Sequence, residues 1–168
     1  MLPENALNRV VAHDIVDTPE LNCVCRGTMI RTPSGDVPVE TLLVGDMVST
    51  YDNGAQTIRW IGSRAVVAGG ALAPVVFEPG AVNNAEELRL SPRHRIVQTD
   101  ESGQLKLVAA QDLVNGDTIR VANSGKVEYF HIVFDRHEII YANGVETESF
   151  HPMMKNAAPR SSHFSPSS

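Results

Sequence analysis

The sequence predicts a single all-β domain, and three observations carry that expectation. Short apolar runs alternate with turn signals from Met29 onward, and no segment sustains the period of a long amphipathic helix. One block of strand, turn and Gly-Asp also recurs downstream, with Leu42 and Leu113 as equivalent positions. A chain of 168 residues suffices for one domain with its own core, but not for two comfortable ones.

The elements follow in order. Residues 1–22 read as a leader with at most one short helix or strand around Leu7 to Ile15. Met29 to Thr32 reads as a strand ending at Pro33-Ser34-Gly35-Asp36, and Met47 to Tyr51 as one ending at the hairpin signal Asp52-Asn53-Gly54. Thr57 to Ile61, Ala65 to Val67 and Pro74 to Phe77 follow, with a Gly69-Gly70 turn between the last two. The second half offers Leu88 to Leu90, Arg95 to Thr99, Leu105 to Val108, Thr118 to Val121, Val127 to Phe134 and Ile139 to Tyr141. Asn123-Ser124-Gly125 reads as a hairpin turn, and Asn143-Gly144 as a further turn. Residues 151–168, rich in Pro, Ser, Lys and Met, offer little to bury and read as a disordered tail.

The repeat aligns Leu42-Leu43-Val44-Gly45-Asp46-Met47-Val48 with Leu113-Val114-Asn115-Gly116-Asp117-Thr118-Ile119. A short helical turn, Pro38 to Leu43 or Ala109 to Val114, would lay its apolar side on the sheet. Gly45 or Gly116 would end it at a positive φ, and the following Asp would accept from backbone donors. Repeated elements of this kind belong to the scaffold, so the Gly-Asp pairs read as structural.

Composition narrows the partners. A net charge of −6 with no basic cluster argues against a nucleic-acid footprint, and so do the few aromatics. No apolar run spans a bilayer, and the charged residues of positions 1–22 interrupt any secretory signal, which makes a cytoplasmic location the default expectation and signal-less secretion the alternative. The two cysteines, Cys23 and Cys25, stand too close for an unstrained disulfide and read as free thiols or ligands.

Two positions escape the scaffold logic: Cys23-Val24-Cys25-Arg26-Gly27-Thr28 and Ser91-Pro92-Arg93-His94. Each stands just before the first strand of its repeat. If a pseudo-twofold relates the repeats, the thiol and the Ser-x-x-His pair would converge near its axis. The plainer reading of a lone Cys and a distant His is structural. A zinc site using Cys23, Cys25 and one or two of His94, His131 and His137 is a third possibility, although Cys-x-Cys is tighter than the usual ligand gap.

The motifs together resemble a Hint domain, the module shared by Hedgehog autoprocessing domains and inteins, and within it a bacterial Hint branch. The resemblance rests on Cys23-x-x-x-Gly27-Thr28-x-Ile30, Thr32-Pro33-x-Gly35, Val39-Glu40-x-Leu42, Gly45-Asp46-x-Val48 and Arg59-Trp60-Ile61-Gly62. It continues through Ala73-Pro74-Val75, Leu90-Ser91-Pro92-x-His94-Arg95, Leu113-Val114-Asn115-Gly116, Val127-Glu128-Tyr129, Phe134-Asp135-Arg136-His137-Glu138-Ile139 and Glu148-Ser149-Phe150. It implies a horseshoe-like β fold over residues 23–150 with pseudo-twofold symmetry. It also implies that Cys23, four residues before Gly27-Thr28, is the nucleophile, and that Cys25 is a spectator.

The resemblance further implies the chemistry. Cys23 would attack the Asn22–Cys23 bond in an N–S acyl shift, with His94 hydrogen-bonded to the scissile amide nitrogen and Ser91 holding the peptide. His131 and His137 are candidates for assisting a second step, against the alternative of hydrogen-bonded strand histidines. Glu148 and Ser149 stand where splicing relatives carry His-Asn, so cleavage is expected rather than splicing. The substrate would be the chain's own N-terminal flank, the thioester would pass to water or an external nucleophile, and no cofactor is implied. A Hint fold kept only as a structural or interaction module is the alternative.

Overall fold

The computed structural model describes residues 22–149. The expected leader and tail therefore lie, apart from Asn22, outside the described residues. Almost every described element is a strand, as the alternating apolar runs require.

The first six-stranded sheet contains β1 (Val24–Cys25), β6 (Trp60–Val67), β7 (Val75–Phe77), β8 (Leu88–Leu90), β11 (Ile119–Val121) and β12 (Lys126–Val133), in the order β11-β7-β8-β1-β12-β6. The second contains β2 (Met29–Thr32), β3 (Gly35–Pro38), β9 (Arg95–Thr99), β10 (Leu105–Ala109), β13 (Ile139–Ala142) and β14 (Val145–Glu148), in the order β10-β9-β14-β13-β2-β3. A two-stranded sheet joins β4 (Met47–Ser49) to β5 (Ala55–Thr57). The main core takes Ile30, Phe77, Leu88, Leu90, Ile96 and Ile140 from both large sheets.

The two copies of the repeat fold alike. Hairpins β2–β3 and β9–β10 each run into a 3-10 turn, Val39–Thr41 or Ala110–Leu113. Gly45 and Gly116 then adopt φ of 97° and 78°, which a Cβ would oppose. The backbone-accepting side chain differs between copies. Asp46 Oδ2 accepts from Leu43 N–H, whereas Asn115 Oδ1 serves Asp117 N–H and Ile119 N–H.

Four expectations need correction. Thr57 to Ile61 is not one strand. Ile58, which is fully buried, and Arg59 link β5 of the small sheet to β6 of the first sheet. The separately expected Ala65 to Val67 is the end of β6, held against β12 for its full length from Trp60↔Val133 to Val67↔Lys126. Asn123-Ser124-Gly125 is no hairpin: β11 pairs with β7 and β12 with β1 and β6. β14 went unpredicted, although Asn143 and Gly144, at φ of 50° and 86°, form a tight turn that pairs it with β13.

Candidate functional site

β1 places the thiol. Val24 pairs with Leu90 on one side and Phe130 on the other, so this very short strand lies in the middle of a sheet. Continuing the β12 register by one residue sets Cys23 opposite His131. Behind β1, Gly27 turns the chain at φ 93° and Thr28 Oγ1 donates to Cys25 O at 2.6 Å. The Gly-Thr pair therefore fixes the end of the strand that carries Cys23.

Ser91 and His94 reach the same residue from the turn after β8. Ser91 N–H donates to Cys23 O at 3.1 Å, and Ser91 Oγ accepts from Cys23 N–H at 3.0 Å. His94 Nδ1 lies 3.0 Å from Cys23 O. The expected arrangement had His94 on the scissile amide nitrogen; Ser91 occupies that place and His94 holds the next carbonyl.

His131 faces the thiol itself, with Cys23 Sγ 2.8 Å from its Nδ1. Trp60 stacks on the imidazole with ring centroids 6.2 Å apart and planes 22° from parallel. Gly62, paired with His131 across the strands, leaves the room for that indole, because a Cβ there would lie 2.3 Å from Trp60 Cη2. Cys23, Cys25, Trp60, Tyr129 and Val133 form an apolar cluster of their own. Trp60, named above only as part of the Arg59-Trp60-Ile61-Gly62 motif, thus touches the site.

Burial sets the charge states. It pushes the Cys23 thiol well above its ordinary range, with Cys25 adding to the effect and Ser91 opposing it. It pushes Cys25 up to about 12. It also pushes His131 down to about 3, and His131 Nε2 is buried with no hydrogen-bond partner among the described residues. The resting pair is therefore a neutral thiol beside a neutral imidazole.

His94 sits in a different setting. Burial lowers its pKa, while the Cys23 carbonyl and Glu148 pull the other way. Its Nε2 meets Thr147 Oγ1, which also lies 3.0 Å from Arg95 O. Neutral His94 satisfies both contacts as the Nδ1–H tautomer, with Nδ1–H donating to Cys23 O and Thr147 donating to Nε2. If Thr147 instead donates to Arg95 O, His94 must carry both protons. Glu148, next in sequence to Thr147, binds Arg95 through two bonds of 2.6 and 2.9 Å and His137 at 2.9 Å. Burial pushes the Glu148 carboxyl up, but the bonds from His137 and Arg95 outweigh it and hold the group below its ordinary range.

His137 is thus placed on Glu148 and not on the thiol. Sequence reasoning missed Thr147 altogether, because a threonine in a strand is ordinary and β14 itself carried no signal. Among the described residues no group of three or more His, Cys, Asp or Glu side chains is arranged to hold a metal ion.

On the N-terminal side of Cys23, Asn22 is buried and its Nδ2 donates to Ser149 O at 3.3 Å. Ser149 is itself held by Glu138, whose O accepts from Ser149 N–H at 2.8 Å and whose N–H donates to Ser149 Oγ at 3.0 Å. The first and last described residues therefore meet here.

The model of the Hint domain matches residues 22–154. The chain belongs to that family. Among solved structures, a bacterial intein-like domain from Clostridium thermocellum superposes with a TM-score of 0.55 at 18% identity, over 76% of this chain and 98% of that one. A DnaB intein from Synechocystis gives 0.53 at 10% identity, over 77% and 99%. At such identities these likenesses establish the fold alone: a predominantly β Hint/intein architecture of the horseshoe-like kind. Warthog protein 1 of Caenorhabditis elegans is 28% identical over 109 residues, which is 62% of this chain. The match spans only 21% of that protein. No helix among the described residues of this Hint domain is long and apolar enough to cross a membrane.

Proposed function

We propose that this Hint domain cleaves the Asn22–Cys23 peptide bond by an N–S acyl shift, acting once and on its own chain. One arrangement supports the reading best. Cys23 Sγ lies 2.8 Å from His131 Nδ1 while the N–H of the same residue is held by Ser91 Oγ at 3.0 Å. A proton acceptor for the nucleophile and a partner for the leaving nitrogen thus flank one residue.

The steps follow from that placement. His131 Nδ1 takes the thiol proton as Sγ attacks the Asn22 carbonyl carbon, and the attached thiol loses no encounter entropy. The tetrahedral intermediate collapses as the Cys23 nitrogen leaves and gains a proton. Ser91 turns from acceptor to donor to deliver it, and the imidazolium of His131 returns the balance. Protonation of this kind contributes roughly 10²–10⁴-fold. His94 holds the Cys23 carbonyl and so keeps the peptide from turning out of line. The product is a thioester between Asn22 and Cys23 Sγ with a free amine on Cys23.

Water or an external nucleophile would then take the acyl group, and splicing would not follow, since Glu148 is committed to Arg95 and His137. In the same reading the repeat reflects a pseudo-twofold axis, residues 23–150 form the autoprocessing unit behind a cleavable flank, and the chain falls in a bacterial branch of the family.

The test is intact-mass analysis after adding dithiothreitol or hydroxylamine. Loss of residues 1–22 is expected from the wild type and from Cys25→Ala, but not from Cys23→Ala. A Cys23→Ala protein that still sheds the flank would sink the assignment.

A further inference from the structure

We infer that Asn22 itself, ahead of the water or external nucleophile named above, resolves the thioester, closing its side chain onto its own carbonyl carbon and releasing the upstream segment as an aminosuccinimide. The inference rests on the thioester reading above. Its first support is burial. Asn22, Cys23, Ser91 and His94 are each 5% exposed or less, so a nucleophile arriving from solvent competes at a disadvantage with a group already held beside the acyl carbon. The carboxamide nitrogen of Asn22 is already inside, attached two carbons from the backbone, where closure gives a five-membered ring.

Its second support is the hold on that side chain. Ser149 O accepts a hydrogen bond from Asn22 Nδ2, and Ser149 is clamped by two hydrogen bonds to the Glu138 backbone. A fixed carbonyl accepting one N–H leaves more electron density on Nδ2 and restricts its rotation. An amide nitrogen is a weak nucleophile toward another amide. A thioester is a far better acyl donor, so the acyl shift is what makes the closure feasible. Well-oriented intramolecular attack corresponds to effective molarities of about 10⁵–10⁸ M, which water in a closed site does not match.

The step balances without a co-reactant. The Nδ2 lone pair forms a bond to the Asn22 carbonyl carbon, and the carbon–sulfur bond breaks with its electron pair going to Cys23 Sγ. One proton leaves Nδ2 and ends on Sγ, with His131 Nδ1, 2.8 Å from that sulfur, as the carrier. The products are a cyclic imide at residue 22 and a β domain beginning with free Cys23. No water is consumed.

The experiment uses the full chain without added thiol and weighs the released peptide at the earliest time points. The expected peptide is lighter by one water molecule than the free acid ending at Asn22. In Asn22→Ala, spontaneous release should fall by about tenfold or more. Dithiothreitol should still release the flank from that variant, which also shows that it has folded. Asn22→Gln keeps the carboxamide but needs a six-membered ring, and should be slow in the same way. Wild-type peptide of free-acid mass from the first time point, no release without thiol, or an Ala variant as fast as wild type would each overturn the inference and leave the thioester standing. Failure of dithiothreitol to cleave Asn22→Ala would instead refute the thioester, and this inference with it.

Discussion

The two imidazoles that converge on Cys23 occupy opposite kinds of surroundings. His131 lies in an apolar cluster, stacked on Trp60, with one nitrogen on the thiol and the other without a partner among the described residues. His94 lies in a polar network that runs through Thr147 to Arg95, with the Glu148–His137 pair beside it. Desolvation keeps the first neutral and opposes its protonation, so any proton it takes from the thiol is held only in passing. Directed hydrogen bonds hold the second in one orientation against a backbone carbonyl. The difference teaches that surroundings set how a histidine behaves, and under the proposed mechanism they fit one for proton transfer and the other for positioning.

Removing the proposed proton acceptor should break this contrast most severely. His131→Gln keeps a polar side chain of similar reach but no basic nitrogen, and thiol-induced cleavage should slow by about 10²–10⁴-fold, measured by intact mass over time. A rate within twofold of wild type would assign His131 to packing.

Next is the polar side. Glu148→Gln leaves Arg95 and His137 without their carboxylate. Breaking a buried pair costs about 3–5 kcal/mol, and because Arg95 is 28% exposed the loss should fall near the lower figure. Urea unfolding in a Cys23→Ala background measures it, and an unchanged midpoint would show that the cluster contributes nothing to stability.

A smaller effect should come from Gly62→Ala. The new Cβ would overlap the Trp60 indole and displace it from His131, at a cost of about 1–3 kcal/mol. Near-ultraviolet circular dichroism of the single tryptophan should change with it; an identical spectrum would mean that the stack tolerates the methyl group.

The pH response sharpens the comparison further. His131 is held near 3 in the fold against an ordinary 6.5, so the unfolded chain binds the extra proton first as pH falls. This contribution is absent above pH 6.5, where both states are neutral, and destabilises the fold progressively from there toward pH 3. In a Cys23→Ala background, His131→Gln should flatten the stability curve across that window. An unchanged slope would place the acid sensitivity elsewhere, for example in Glu148, whose lowered carboxyl loses its contribution only as the group protonates.

Much of the fold was legible in local patterns. Met29 to Thr32, Leu88 to Leu90 and Arg95 to Thr99 coincide with observed strands, and both positive-φ glycines stand where the repeat put them. These features depend on residues close in the chain, where alternation and turn chemistry act directly. β14 was hidden because Val145-Glu146-Thr147-Glu148 carries two carboxylates, one of which is buried only by virtue of Arg95 and His137.

The candidate site divides in the same way. Sequence by itself singled out Cys23 over Cys25, paired Ser91 with His94, and carried the resemblance to the Hint family. Only the tertiary structure decided that His131 faces the sulfur, that Ser91 and not His94 meets the amide nitrogen, and that Thr147 and Ser149 complete the surroundings. The physical reason is register. A strand's side-chain directions follow from which residue it pairs with, and those pairings join segments as far apart as Ile30 and Ala142.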